Sequence, residues 1–215
     1  MNDIGVGDGR KQFLTAEVIQ DFIRSRRSVR AFLPKLIPQE TLEAILETAT
    51  WAPSAHNRQP WRFVVLTNQE EKYRLAHQMG SEFYQDLLAD GLPGDEVDRI
   101  VAHSRLRIEV APVVVLLCLD TTQGDQYLDV KRQQAEYLMG VQSVALAGGT
   151  LLLAAHAAGI SGVWVCAPLF APQAVRTALT LTAHWDPQGL ILLGYAARVP
   201  EPRPRRAVRE VAVFL

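Results

Sequence analysis

Within the seven residues 24–30, RSRRSVR, four arginines (Arg24, Arg26, Arg27 and Arg30) are interleaved with Ser25 and Ser28. The planar guanidinium fork matches phosphate oxygens two at a time, and a serine hydroxyl adds a short donor. The same cations would also suit a solvated helix C-terminus, where positive charge meets free carbonyls. A second basic cluster, Arg203, Arg205 and Arg206, stands far along the chain. Two concentrated basic clusters in a chain of formal net charge −1 predict one anionic group, a phosphate, gripped from both sides.

Residues 52–63, APSAHNRQPWRF, form a polar, conformationally restricted stretch directly before an apolar run. Asn57 and Gln59 can each donate and accept, which suits the edge of a planar heterocycle bearing carbonyls and ring nitrogens. Pro53 and Pro60 are expected to hold the backbone extended, with Trp61 as its anchor. The plainer alternative is a rigid loop whose amides cap their own backbone. Other candidates are weaker. No Gly-x-Gly-x-x-Gly follows a strand, the five histidines lack metal-ligand spacing, and no Ser-His-Asp signature stands out. His56 reads as an exposed loop residue, Cys166 as a small core residue, and Gly148–Gly149 as a site of close helix packing.

These residues need elements to position them. Thr15 is a plausible N-cap for a helix over 15–25 with Val18, Ile19, Phe22 and Ile23 on one face. Pro38 opens a second helix whose apolar face is Leu42, Ile45, Leu46 and Ala49. Strand RFVVLT follows, then helices over 70–90 and 95–110 separated by DGLPGD. APVVVLLCL reads as a central strand, and a long helix over 130–158 stops at Gly159. Strand GVWVCA, a short helix after Pro172 and strand GLILLGYA complete the core. The Pro/Arg segment beyond Ala197 should run extended. The apolar end VAVFL is then expected to be buried as an added strand, on this chain's sheet or on a partner's.

The composition, 48% hydrophobic and 21% charged over 215 residues, is that of a globular protein with one sizeable core or at most two small domains. Near-neutral charge argues against a nucleic-acid or anionic-membrane partner. No Asp, Glu, Lys or Arg occurs between Glu136 and Arg176. Gln142, Ser143, the glycine pair and His156 make this stretch read as a buried core helix, not a membrane span. MNDIGVGDGRKQF has no apolar segment of signal-peptide length, and Cys118 and Cys166 lie in apolar runs, so a reducing cytoplasm is the expected compartment.

RSRRSVRAF, then APSAHNRQPWRFVVL, then RPRRAVREV near the C-terminus together resemble the nitroreductase family of FMN-dependent oxidoreductases, over nearly the whole chain from about residue 20. The resemblance implies a single α+β domain, 1–215, with a central mixed, mostly antiparallel sheet flanked by helices and an extended C-terminal arm, 198–215. It implies a homodimer in which the C-terminal strand crosses to the other subunit, with FMN at the interface. Carried over by position, Arg26, Arg27, Ser28 and Arg30 would hold the phosphate and ribityl chain, with Arg203 and Arg205 closing on the phosphate. Pro53, Ser54, Ala55 and Asn57 would come from the opposite subunit to line the ring. Cys166 and Ala167 would lie near its N5 edge, where many members carry glutamate and glycine.

The implied reaction is ping-pong hydride transfer to a small conjugated acceptor, with NAD(P)H as a candidate donor. GISGVWVCAPLF and the Trp185-x-Pro187-x-Gly189 strand entry look like the branch that reduces a dehydro precursor of the deazaflavin coenzyme F-420. A general nitro- or quinone-reducing enzyme and a non-catalytic flavin-binding dimer are the alternatives.

Overall fold

The computed structural model describes residues 15–215; the N-terminal segment read above for a signal peptide lies outside them. Eleven elements are described, in the order α1 (Ala16–Ser25), α2 (Gln39–Ala49), β1 (Trp61–Leu66), α3 (Gln69–Ala89), α4 (Gly94–Glu109), β2 (Val113–Asp120), α5 (Val130–Ala157), β3 (Ser161–Val165), α6 (Pro172–Leu179), β4 (Trp185–Gly194) and α7 (Val208–Val211). Thr15 caps α1 through its side chain, accepting from the Val18 amide. Pro38 occupies the N-cap of α2, one residue before the expected first turn.

The four strands lie in the order β1-β2-β4-β3, and every neighbouring pair is antiparallel. The expected mixed character is confined to one parallel bridge between Ser28 and Gly162; Phe32 bridges Ala196 antiparallel. Strand alternation divides β2 between two cores. Val113, Val115, Leu117 and Leu119 pack under α2 and α5, while Val114, Leu116 and Cys118 pack under α3 and α6. Helices on both faces explain why β2 is an unbroken apolar run. The charge-free stretch begins with the last three-quarters of α5, whose Val144, Ala147, Leu151 and Ala155 are fully buried against the sheet. It is long and apolar enough to span a membrane, but here it is a core helix.

Two expectations change. Gly148 and Gly149 do not serve one close helix contact. A Cβ on Gly148 would sit 2.2 Å from the Trp164 ring and 2.7 Å from Leu117, whereas one on Gly149 meets nothing within 4 Å. The glycine at 148 therefore lets α5 settle onto the sheet. The C-terminal VAVFL joins no strand of this chain. Val208–Val211 is a helical turn, and Val213, Phe214 and Leu215 stand 83%, 88% and 118% exposed. The sheet's edge strands are β1 and β3, and the segment pairs with neither.

Candidate functional site

The end of α1 and the start of the C-terminal arm meet. Arg26, Arg27, Ser28 and Arg30 line one cavity of about 530 Å³ together with Arg198, Arg203 and Arg205. Arg24 and Arg206 do not line it. Ser28 and Val29 are fixed by the bridge to β3, the Val29 N–H donating to the Gly162 carbonyl at 3.3 Å. Arg26 is crowded: its guanidinium pKa is lowered by burial, then by Arg205 and Arg27. Its Nη1 is buried and has no hydrogen-bond partner. A half-buried guanidinium with one desolvated, unpaired nitrogen among other cations is costly unless an anion joins it. The residues thus fit a phosphate, with Glu201 the single carboxylate among the lining residues.

Arg27 behaves differently. Its Nη1 donates to the Arg24 carbonyl at 2.5 Å and to the Arg26 carbonyl at 3.0 Å. The helix-terminus role therefore holds for this one arginine. Beside it, Ser25 Oγ lies 2.7 Å from His156 Nε2, and Phe22 stacks on the same imidazole. That pair ties the end of α1 to the end of α5. The His156 pKa is lowered by burial first, then by Arg26 and Arg27.

The 52–60 loop is not extended as expected. Ala55–Asn57 form a short 3-10 turn, and His56, Asn57 and Gln59 have φ of 53°, 53° and 50°. Among the described residues only Thr180 joins them as a non-glycine with positive φ. Each such residue costs on the order of 1–2 kcal/mol, so surrounding contacts must hold the shape. The Ala55 N–H donates to Ser143 Oγ at 3.3 Å, and the Gln59 N–H to Ser54 Oγ at 3.1 Å. Gln59 Nε2 donates to Asn57 Oδ1, so the two amides bond to each other, and the hydroxyl of Ser54 caps the loop backbone.

Sequence reasoning missed the main fastener, Arg58. It donates to the buried Glu136 at 2.8 Å, to the Gln123 carbonyl at 3.2 Å and to Asp125 at 2.6 Å. The Asp125 hydrogen bond is the chief cause that raises its pKa. No spacing rule pairs positions 58 and 136. With Arg58, Pro60 and Trp61 turned inward, Pro53, His56, Asn57 and Gln59 face solvent. None of Pro53, Ser54, Ala55 and Asn57 lines the arginine cavity of the same chain.

Cys166 is exposed, which overturns its reading as a core residue. Its Sγ accepts from Trp164 Nε1 at 3.1 Å, and the Trp164 ring is clasped between Gly148 and Gly189. Cys118 is the buried cysteine, and burial pushes its thiol up to about 12. Ala167 lines a different cavity, between α3 and α4. From the Ser28 bridge at Gly162 to Cys166 is four strand residues, roughly 13 Å. The phosphate end and the cysteine end therefore belong to one edge of the sheet.

Helices on both faces of an antiparallel sheet, with an arginine-lined cavity beside its β3 edge, make an α+β fold. The nitroreductase family model matches residues 23–195, and the chain belongs to that family of oxidoreductase enzymes. An NADH dehydrogenase of Thermus thermophilus is 28% identical over 213 residues, covering 88% of this chain and 92% of its own. A BluB-like flavoprotein from Clostridium difficile superposes with a TM-score of 0.77 at 23% identity, over 92% of this chain and 98% of that one. A nitroreductase-like protein of Streptococcus mutans does so at 0.73 and 23%, over 93% and 98%. The non-catalytic alternative gives way to an enzyme.

Proposed function

We propose that the chain is a single-domain FMN-dependent NAD(P)H oxidoreductase that reduces a small conjugated acceptor and works as a homodimer. One observation carries this reading: two arginine clusters more than 160 residues apart in sequence converge on one cavity, where Arg26 is crowded by Arg205 and Arg27. Arg26, Arg30, Arg203 and Arg205 grip the phosphate, with Ser28 toward the ribityl chain and Arg27 held back against α1. Pro53, Ser54, Ala55 and Asn57, on a loop fixed by Arg58, line the ring from the second subunit. Cys166 and Ala167 border its N5 edge. Bound FMN supplies a ring that takes up a hydride and passes it on. The protein's own groups orient that ring and exclude water, which fits the absence of a nucleophile–base pair among the candidates.

The overall balance for a quinone is NAD(P)H plus H⁺ plus quinone giving NAD(P)⁺ plus hydroquinone. The Thermus relative's name supports a nicotinamide donor. The homodimer is supported by apolar surface that one chain leaves bare: Val18 and Ile23 on α1, Leu138 and Leu146 on α5, and the C-terminal Phe214 and Leu215. The narrower proposal, reduction of a dehydro precursor of coenzyme F-420, rests on the residue likeness of segment 159–196 and of Ala55-His56 in the 52–63 stretch. Initial rates measured against both NADH and a quinone should give parallel double-reciprocal lines, the mark of a donor product that leaves before the acceptor binds. Intersecting lines would contradict this.

A further inference from the structure

We infer that the cleft between α3, α4 and the turn after β3 selects the acceptor, and that it takes flat, neutral or cationic aromatic acceptors in preference to carboxylated ones. This deepens the functional reading above and rests on it. The cleft encloses about 390 Å³, within the range of small-molecule pockets. Met79 and Phe83 of α3, Ile108 of α4 and Phe170 wall it. Phe83 is 36% exposed and Phe170 is 77% exposed, so these rings are not needed to close the core. Aromatic walls around a narrow apolar slot favour a planar guest.

Position along α3 fixes the polarity of the slot. Ala167 and Ala171 share an apolar cluster with Ala76 and Met79, so the end of the cleft nearest Cys166 is apolar. Asp86 and Asp90 line the other end, one helical turn apart and on one face. From Ala76 to Asp90 is fourteen residues, about 21 Å of helix. Arg105 crosses α3 at Gly80 without joining the lining, and no lysine or arginine is among the lining residues. A guest with its reducible group toward Ala167 therefore points its remaining substituent at two carboxylates. A carboxylate there is repelled, and an ammonium or hydroxyl is accommodated.

Three nitroarenes that share a ring test this: 4-nitrobenzylamine, 4-nitrobenzyl alcohol and 4-nitrobenzoate, each assayed with the FMN-loaded enzyme. The wild type should prefer the amine to the carboxylate by about tenfold in kcat/KM, the size of a modest charge–charge preference. Asp86→Asn with Asp90→Asn should shrink that ratio to about twofold. Phe83→Ala should raise KM for all three by about tenfold, and Phe83→Leu should restore most of it. Flavin titration should give the same FMN affinity for every variant. If FMN binds normally while neither KM nor the charge preference moves, the cleft assignment is overturned alone. If the chain binds no FMN, the functional reading fails and the inference fails with it.

Discussion

Arg26 and Arg27 are neighbours with the same side chain and different work. Arg27 is committed to two main-chain carbonyls, whereas Arg26 lines the basic cavity and keeps one buried nitrogen unpartnered. The sequence marks the cluster, because guanidinium groups with interleaved serines are a recognisable anion site. It cannot apportion roles inside the cluster, since those depend on where α1 ends. Arg58 and His156 were illegible for a related reason: their partners lie 78 and 131 positions away. His156 yields a pH prediction. Burial and the adjoining arginines hold its folded pKa below the ordinary 6.5. The unfolded chain then binds more protons between the folded value and about 6.5, so stability rises with pH through that window and is lost on acidification. His156→Gln should flatten this part of the profile. Thermal melts of the flavin-free protein from pH 5 to 8 will show it, and an unchanged slope would contradict the assignment.

Elements were legible wherever the pattern was set by burial on two faces. The β2 run, the length of α5 and the loop between α3 and α4 follow from apolar continuity and turn chemistry. Local rules do not describe how α5 meets the sheet, because that depends on which side chain from β3 lies beneath Gly148. The answer is Trp164, which also supplies the hydrogen bond to Cys166. In an open helix Gly→Ala stabilises by roughly 0.5–1 kcal/mol. Gly148→Ala should reverse that sign and destabilise by about 1–3 kcal/mol, the usual penalty of overpacking. Urea denaturation measures it, and a gain in stability would mean that α5 can lift from Trp164 freely. The same backbone reasoning explains the 52–60 loop. Its prolines suggested extension, but Arg58 and Ser143 hold it in left-handed turns that few residues adopt unaided.

At the scale of the whole molecule, one chain presents two unfinished things. No residue of the 52–60 loop lines the arginine cavity, and α1, α5 and the C-terminal arm leave large apolar side chains bare. In the proposed homodimer a second copy would complete both; of the two places expected for VAVFL, a strand on this chain's own sheet does not form, and a strand on a partner's sheet is part of the dimer proposal. The central claim is that the two arginine clusters are there for a phosphate. FMN and riboflavin share the same ring and differ only in that group, so their binding to the purified full-length protein, followed by flavin fluorescence, isolates it. Charged hydrogen bonds contribute about 1.5–3 kcal/mol each, so FMN should bind at least about 100-fold more tightly than riboflavin, and Arg26→Ala with Arg205→Ala should remove most of that margin. Equal affinity for the two flavins, or a margin untouched by the double substitution, would contradict the account.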